Sequence, residues 1–518
     1  MALPDGKLII EHVYHWEKTA PNRRYFNQPT GGGQLKTYTW GEAMDEARRI
    51  ATYINSLDLP PKSHIALVSK NTAWWIICDL AIWISGHVSV PVYPTSTRDT
   101  VQYVLEHSDS KLCFFGKLDD PEEIKAGIPE GMTCVAMPLS EKNDFKKWEE
   151  LVKEHEPMQG ETERDPEEMA TIVYTSGSTG TPKGAVLTHG NLAWNIVNTV
   201  SGWDVRGDDT TLAHTPLFHT GGWNVLTLPL LHQGGTVLLT RAFDPDRTLD
   251  IIAEHGVSVL FAVPTMFTDL LVAHDARPTD LSSLRWAVSG GAPCPLPLIE
   301  AYGALGVPLK QGYGLTEVGP NCFVFPDGHE IARCGSVGLP MLHLSMRLVD
   351  EHGAEVGPGV VGELQLRGPT VCAGYWRNPE ATATTVVDGW LRTGDLGRMD
   401  QDGFLTLTDR SKDVIISGGS NIYPREVEEA VQTHPSVFEV SVIGCPHPEW
   451  GEEVVAFVVF AGDATASTEE LDGWCKSQIA SFKKPKRYVV MSELPKNSYG
   501  KVLKTSLRER AAVAEEEL

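Results

Sequence analysis

At 518 residues the chain is longer than a single hydrophobic core usually serves, so two or more domains are expected. Acidic residues outnumber basic ones by 68 to 44, a formal charge of −24, which argues against a nucleic-acid or anionic-membrane binder. Any anionic substrate must therefore meet local positive charge. Nine cysteines, an odd total without a Cys-x-x-Cys pair, read as reduced thiols in a cytoplasmic protein. Met1 to Ala20 carries charged residues throughout and no apolar signal-peptide core, so secretion is not expected.

The early chain alternates helices and strands. Thr39-Trp40-Gly41-Glu42 has capping-box spacing, and Ala43, Met44, Ala47, Ile50, Ala51 and Ile54 then fall on one helical stripe. Ile65 to Val68 reads as a strand. Trp74 to Val92 is the most apolar stretch, but Asp79 interrupts it and its period changes near Gly86. It is expected to be a buried helix feeding a core strand rather than a membrane span. The alternation returns at Val101 to Leu105 with Leu112 to Phe115, and at Leu249 to Ala253 with Val257 to Phe261, which favours an α/β class with largely parallel sheets. Lys117 to Glu167 is Glu/Lys/Pro-rich and weakly periodic, as in a peripheral excursion.

From Val349 to Thr408 the sequence becomes Gly-rich with short alternating runs such as Gly362 to Leu366 and Gly403 to Leu407, the pattern of an antiparallel β subdomain. Beyond Lys412 a small α+β unit is expected, with a helix started by Pro424 and ended before Pro435. The predicted boundary separates domain 1–411 from domain 412–518. No internal repeat stands out.

The stretch Tyr174 to Gly184 follows the apolar run Ala170 to Val173 and contains five serine and threonine hydroxyls, three glycines and Lys183. Glycines let backbone N–H groups crowd around phosphate oxygens, hydroxyls add donors, and a lysine adds a point charge. The Walker A pattern fails here, because Pro182 replaces its second glycine and Ala185 to Thr188 reads as a strand rather than a helix. A hairpin flap over a polyphosphate fits better.

Thr175, Ser176, Gly177, Ser178, Thr179, Gly180, Thr181 and Lys183 resemble the phosphate-binding signature of the adenylate-forming superfamily, which comprises acyl-CoA synthetases, luciferases and the adenylation domains of nonribosomal peptide synthetases. Further blocks similar to that family follow in order: Pro216 to His219, Gly290 to Pro293, Gln311 to Glu317, Thr393 to Asp395, Asp409 to Asp413, and Pro495 to Lys501. They span most of the chain. The resemblance implies a large N-terminal domain of two α/β subdomains plus a β subdomain, followed by a small mobile α+β C-terminal domain.

Joining a carboxylate to ATP requires charge screening, alignment and stabilisation of a crowded phosphorus centre. The resemblance assigns parts for this. Glu317, with Thr175, is implied as a Mg²⁺ ligand. Tyr313 stands between Gly312 and Gly314, so its aromatic face is available to stack on adenine. Gly291, Ala292 and Pro293 border the base, Leu315 and Thr316 continue the motif with Thr316 meeting the α-phosphate, Asp395 accepts the ribose hydroxyls, and Arg410 adds a contact near the hinge. Lys501 is implied as the lysine that bridges substrate carboxylate and α-phosphate, although Asn497 and Tyr499 depart from the small residues common in that loop.

On the acceptor side the implied hinge is Lys412, and Ser417, Gly418 and Gly419 face a pantetheine channel. The basic cluster Lys483, Lys484, Lys486 and Arg487 reads as either a contact for coenzyme A phosphates or a solvated face. The acyl pocket is expected among His219, Gly221, Trp223, Val263 and Gly290, with His219 closing its carboxylate end. Trp223 either limits chain length or stacks on a cyclic acid. The expected reaction is ATP-dependent formation of an acyl-adenylate and pyrophosphate, then transfer of a medium-chain, long-chain, aryl or alicyclic acyl group to coenzyme A or, in the alternative, to the amine of an amino acid.

Overall fold

The computed structural model describes residues 8–175, 181–240, 242–326, 328–496 and 502–516. The chain divides into two compact units, Met1–Met346 with Leu366–Leu391, and Arg347–Gln365 with Arg392–Leu518.

The first unit is α/β. The predicted capping box forms: Thr39 Oγ1 accepts the Glu42 N–H at 3.3 Å, and Glu42 accepts the Thr39 N–H at 2.8 Å. A cap of this kind stabilises a helix by about 1 kcal/mol. It starts the helix Trp40–Asn55, whose predicted apolar stripe is fully buried. Ala73–Ile84 is the expected core helix, buried along its whole length, and Val88–Val92 is the strand it feeds.

That strand belongs to a seven-stranded sheet ordered Lys146–Lys147, Thr133–Ala136, Ser110–Phe115, His64–Val68, Val88–Val92, Met169–Thr175, Lys183–Thr188. All neighbours are parallel except the last pair, which is antiparallel. The weakly periodic stretch from Lys117 to Glu167 thus supplies the two strands at the far edge of this sheet, together with the helices Pro121–Ala126 and Trp148–Glu154. Edge strands bury fewer side chains on each face, which is why their pattern is faint in sequence.

Two smaller sheets also belong to this unit. One has the order Thr210–Ala213, Thr236–Leu239, Arg24–Gly31, Gln34–Thr39; the other is parallel, with Val259–Ala262, Trp286–Ser289 and Leu309–Gln311. They adjoin where the Ser258 N–H donates to the Thr210 carbonyl at 2.9 Å. A core of aliphatic side chains, including Leu249, Ile252, Val257 and Leu260, packs beside the three-stranded sheet.

In the second unit, Asp395 to Met399 pair antiparallel with Leu405–Arg410, as the alternating runs predict. The helix Pro424–Gln432 begins at the predicted proline. It packs on a mixed five-stranded sheet whose long hairpin, Val437–His447 with Gly451–Phe460, is buried on both faces by the clusters around Val442 and Val455. No helix among the described residues is long and apolar enough to cross a membrane.

Candidate active site

Strands Met169–Thr175 and Lys183–Thr188 run antiparallel with Tyr174 opposite Gly184 and Thr175 opposite Lys183, so the predicted phosphate loop joins the two arms of a hairpin. This geometry excludes a strand-to-helix cradle. Gly184 is required by packing, because a Cβ there would lie 2.7 Å from Ile172. Ser176, Gly177, Ser178, Thr179 and Gly180 lie outside the described residues. Of the flanking residues, Thr181 is exposed and Thr175 and Lys183 are half-buried.

Two parallel strands end in the next two motifs. Trp286–Ser289 leads into Gly290, which is buried, and into Gly291, Ala292 and Pro293, which are exposed. Leu309–Gln311 leads into Gly312 to Glu317, and the Gly312 N–H donates to the Ser289 carbonyl at 2.7 Å, which ties the two turns together. Sites at the carboxyl ends of parallel strands are the rule in α/β proteins. A Cβ at Gly314 would lie 2.2 Å from the backbone of Pro320, so only glycine fits. Tyr313 is half-buried, with its ring 5.8 Å from Phe323 in an edge-to-face arrangement. Leu315 is half-buried and closes a short turn by donating from its N–H to the Gly319 carbonyl; Thr316 is buried.

Glu317 follows, held from both ends. Its carbonyl accepts the Cys372 N–H at 2.7 Å, and Oε1 of its side chain accepts the Tyr375 hydroxyl at 2.8 Å. Tyr375 bridges back to Ala185 beside the phosphate hairpin, and the Lys183 ammonium lies 5.6 Å over its ring. Tyr93 is also close enough for the Glu317 charge to raise its phenol pKa, after burial. Neither tyrosine is singled out by sequence, because their link to Glu317 joins distant parts of the chain.

The His219 imidazole accepts the Gly221 N–H on Nδ1 at 3.0 Å, which places its proton on Nε2. Burial lowers its pKa to about 4, so the ring is neutral near pH 7. Gly221 and Trp223 are buried, and Val263 precedes the helix Pro264–Ala276. Trp223 opens a π-helical turn, Trp223–Thr227, and its ring centroid lies 5.2 Å from Trp75 and 6.3 Å from Trp83. Three indoles thus meet in one buried cluster. A π turn inside a helical stretch is rare and frequent at functional sites.

Within the second unit, Asp395 and Arg410 sit opposite each other in register, and the guanidinium Nε is 3.0 Å from Oδ1 of Asp395. Two residues predicted separately are therefore one ion pair. Lys412 is exposed in a single 3₁₀ turn, Ser411–Asp413. Gly418 and Gly419, with φ of 57° and 79°, form the two-residue turn between Ile415–Ser417 and Ser420–Ile422. Positive φ at both positions is the type I′ hairpin signature. The basic cluster is largely engaged: Lys483 pairs with Glu426, Lys484 with Asp472 and Arg487 with Glu453, while Lys486 lies 4.4 Å over Trp450. Lys501 lies outside the described residues.

Residues 13–376 match the family model described as AMP-binding enzyme, and residues 426–501 match that of the AMP-binding enzyme C-terminal domain. The chain is 43% identical over 344 residues to a feruloyl-CoA synthase of an Amycolatopsis species, covering 66% of this chain and 70% of the relative. It is 40% identical over 347 residues to an indoleacetate–CoA ligase of Aromatoleum aromaticum, covering 67% of this chain and 68% of the relative. The crystal structure of the anthranilate CoA ligase AuaEII in complex with anthranoyl-AMP superposes with a TM-score of 0.90 at 25% identity, over 99% of each chain. The chain belongs to the AMP-binding enzymes of the adenylate-forming superfamily, and is an ATP-dependent acid–thiol ligase that forms an acyl-adenylate before the acyl group passes to coenzyme A.

Proposed function

We propose that the acid is a planar aryl carboxylate. The observation that carries this reading is the cluster of three indoles in which Trp223, next to the His219 segment, packs against Trp75 and Trp83. Indole faces bury large flat apolar area and favour offset or edge contacts with another ring. The names of the relatives, feruloyl-CoA synthase and indoleacetate–CoA ligase, agree with a ring-bearing acid.

In this reading Tyr313 stacks on adenine, Thr316 meets the α-phosphate, Asp395 receives the ribose hydroxyls and the phosphate hairpin holds the polyphosphate. Glu317 and Thr175 offer one carboxylate and one hydroxyl, a hard oxygen set of the kind Mg²⁺ accepts while keeping its waters. Bound there, the ion supplies charge neutralisation for the phosphates. Lys501 bridges carboxylate and α-phosphate during adenylation. The small domain, 412–518, then turns about Lys412 to admit the thiol past Gly418 and Gly419. Neutral His219, with its proton on Nε2, can donate to the carboxylate end of the acid without adding charge. Free thiols throughout and the acidic surface accord with a cytoplasmic enzyme.

The test is pyrophosphate release across a panel of aryl, alicyclic and straight-chain acids, with coenzyme A or amino acids offered as acceptors. The proposal expects the highest kcat/KM for an aryl acid and turnover to a thioester. Preference for straight-chain acids would reject the aryl assignment.

A further inference from the structure

The core helix Ala73–Ile84 is buried along its whole length, yet it carries Asp79, which is 1% exposed. Trp75 and Trp83 stand four residues before and after it, so the three side chains share one face of the helix. Trp223 contacts both flanking indoles and therefore lies across that face, over the carboxyl. Among the described residues, Oδ1 of Asp79 and Nε1 of Trp223 are both buried and neither has a hydrogen-bond partner. They are close enough for the indole N–H to favour the carboxylate, as does Ser89, although burial dominates and lifts the Asp79 pKa to about 7.

A carboxyl in this setting destabilises the fold relative to an aliphatic side chain, so packing does not account for it. An unpaired indole donor so near an unpaired carboxyl acceptor suggests a reserved hydrogen bond. The π turn at Trp223–Thr227, closed by Thr227 Oγ1 on the Gly222 carbonyl at 2.8 Å, gives the indole a backbone that differs from its helical neighbours.

We propose that Asp79 is a positioning residue of the acyl site: in the acid-bound enzyme it accepts the indole N–H of Trp223 and holds that ring as the wall against which a flat acid packs. The inference rests on the reading of Trp223 as a wall of the acyl pocket. Asp79 then acts on acid recognition through Trp223, without touching the reacting atoms. Selectivity for ring-bearing acids follows, because a fixed indole accepts a flat partner and a free one accommodates any apolar chain.

The test uses the full chain and the best acid from the panel, with four variants. Asp79→Leu and Trp223→Phe each remove one side of the contact and keep the site filled; each is expected to raise KM for the acid about tenfold, the cost of one such hydrogen bond, with kcat and KM for ATP within about twofold. Asp79→Asn, whose amide oxygen still accepts the indole N–H, is expected to recover most of that loss. The double variant Asp79→Leu/Trp223→Phe is expected to be no worse than either single one. An acid KM in Asp79→Leu equal to wild type, or effects that multiply in the double variant, would overturn the proposal. Trp223→Gly separates the two readings. If it broadens the acid profile while Asp79→Leu leaves KM unchanged, the pocket assignment stands and the Asp79 role falls; if it alters nothing in the folded protein, both fall.

Discussion

The Tyr375 hydroxyl donates a 2.8 Å hydrogen bond to the Glu317 carboxylate, and the same ring lies under the Lys183 ammonium. One phenol thus connects the flank of the phosphate hairpin with the residue proposed to hold Mg²⁺. Burial and the nearby carboxylate raise the Tyr375 pKa, so the phenol keeps its proton and can only donate to Glu317. Tyr375→Phe is expected to lower adenylation about tenfold or more, since a hydrogen bond to a charged group contributes about 1.5–3 kcal/mol. It should also raise the Mg²⁺ concentration needed for half-maximal pyrophosphate release. An unchanged Mg²⁺ titration would show that Glu317 does not depend on Tyr375.

Asp395 and Arg410 form an ion pair in which the carboxylate is almost enclosed, with its side chain 8% exposed, while the guanidinium is 37% exposed. Asp395 is the carboxylate proposed to receive the ribose hydroxyls. Asp395→Ala is expected to raise KM for ATP by tenfold or more, the scale of losing charge-assisted hydrogen bonds, with a much smaller change in KM for the acid. Equal increases for both substrates would indicate a structural lesion instead.

Lys412 sits in a three-residue turn, exposed, where a backbone rotation meets little packing resistance. Proline at this position restricts φ and opposes such a rotation. Lys412→Pro is therefore expected to leave acyl-adenylate formation within about threefold of wild type and to slow thioester formation by an order of magnitude or more. Parallel loss of both half-reactions would remove the hinge assignment.

Lys501 is proposed as the cation between the acid and the α-phosphate. Loss of a contact made in the transition state costs a few kcal/mol, so Lys501→Ala should depress pyrophosphate release about a hundredfold or more. Synthetic acyl-AMP should still react with coenzyme A at a rate closer to wild type. Near-normal pyrophosphate release from acid plus ATP would end this assignment.

Two buried imidazoles predict a pH dependence of stability. Burial lowers the His189 pKa to about 3 and that of His214 to about 4, from an ordinary 6.5. The proton of His214 sits on Nε2, which donates to the Phe261 carbonyl at 2.8 Å, while among the described residues its buried Nδ1 has no partner to receive from a second proton. Between the folded and unfolded values the unfolded chain binds more protons, so stability rises with pH through that window and is lost as pH falls below 6.5, by about 3 kcal/mol for His214 and about 5 kcal/mol for His189 at the acid end. Asp79 acts in the opposite sense: lifted to about 7, it holds its proton longer in the folded chain, and its contribution declines as pH rises from the ordinary carboxylate range to 7. The melting temperature should fall between pH 6.5 and 4.5, more gently in His214→Asn. An identical slope in that variant would rule out the imidazole as its source.

The features legible in sequence were local. Capping spacing at Thr39 and Glu42, the apolar stripe of the following helix and the proline that opens Pro424–Gln432 each depend on residues within a turn or two of one another, and each is present in the fold. The hairpin at the phosphate loop was legible as well, because Pro182 and the apolar run after Gly184 oppose a helix at that point. The order of the motifs along the chain identified the chemistry, since turn residues with special backbone demands, such as Gly314, carry their constraint in their own identity. Tertiary structure alone decided the partners. Hydrophobic period tells which face of a segment is buried but not what covers it, so the meeting of Tyr375 with Glu317, of Asp395 with Arg410, and of Asp79 with Trp223 had no signature in the residues between them. Asp79 shows the limit most plainly. In sequence it is a charge that interrupts an apolar run; in the fold, burial on every side raises its pKa and places it beneath three indoles, because the environment of a titratable group is supplied by chain segments that only packing brings together.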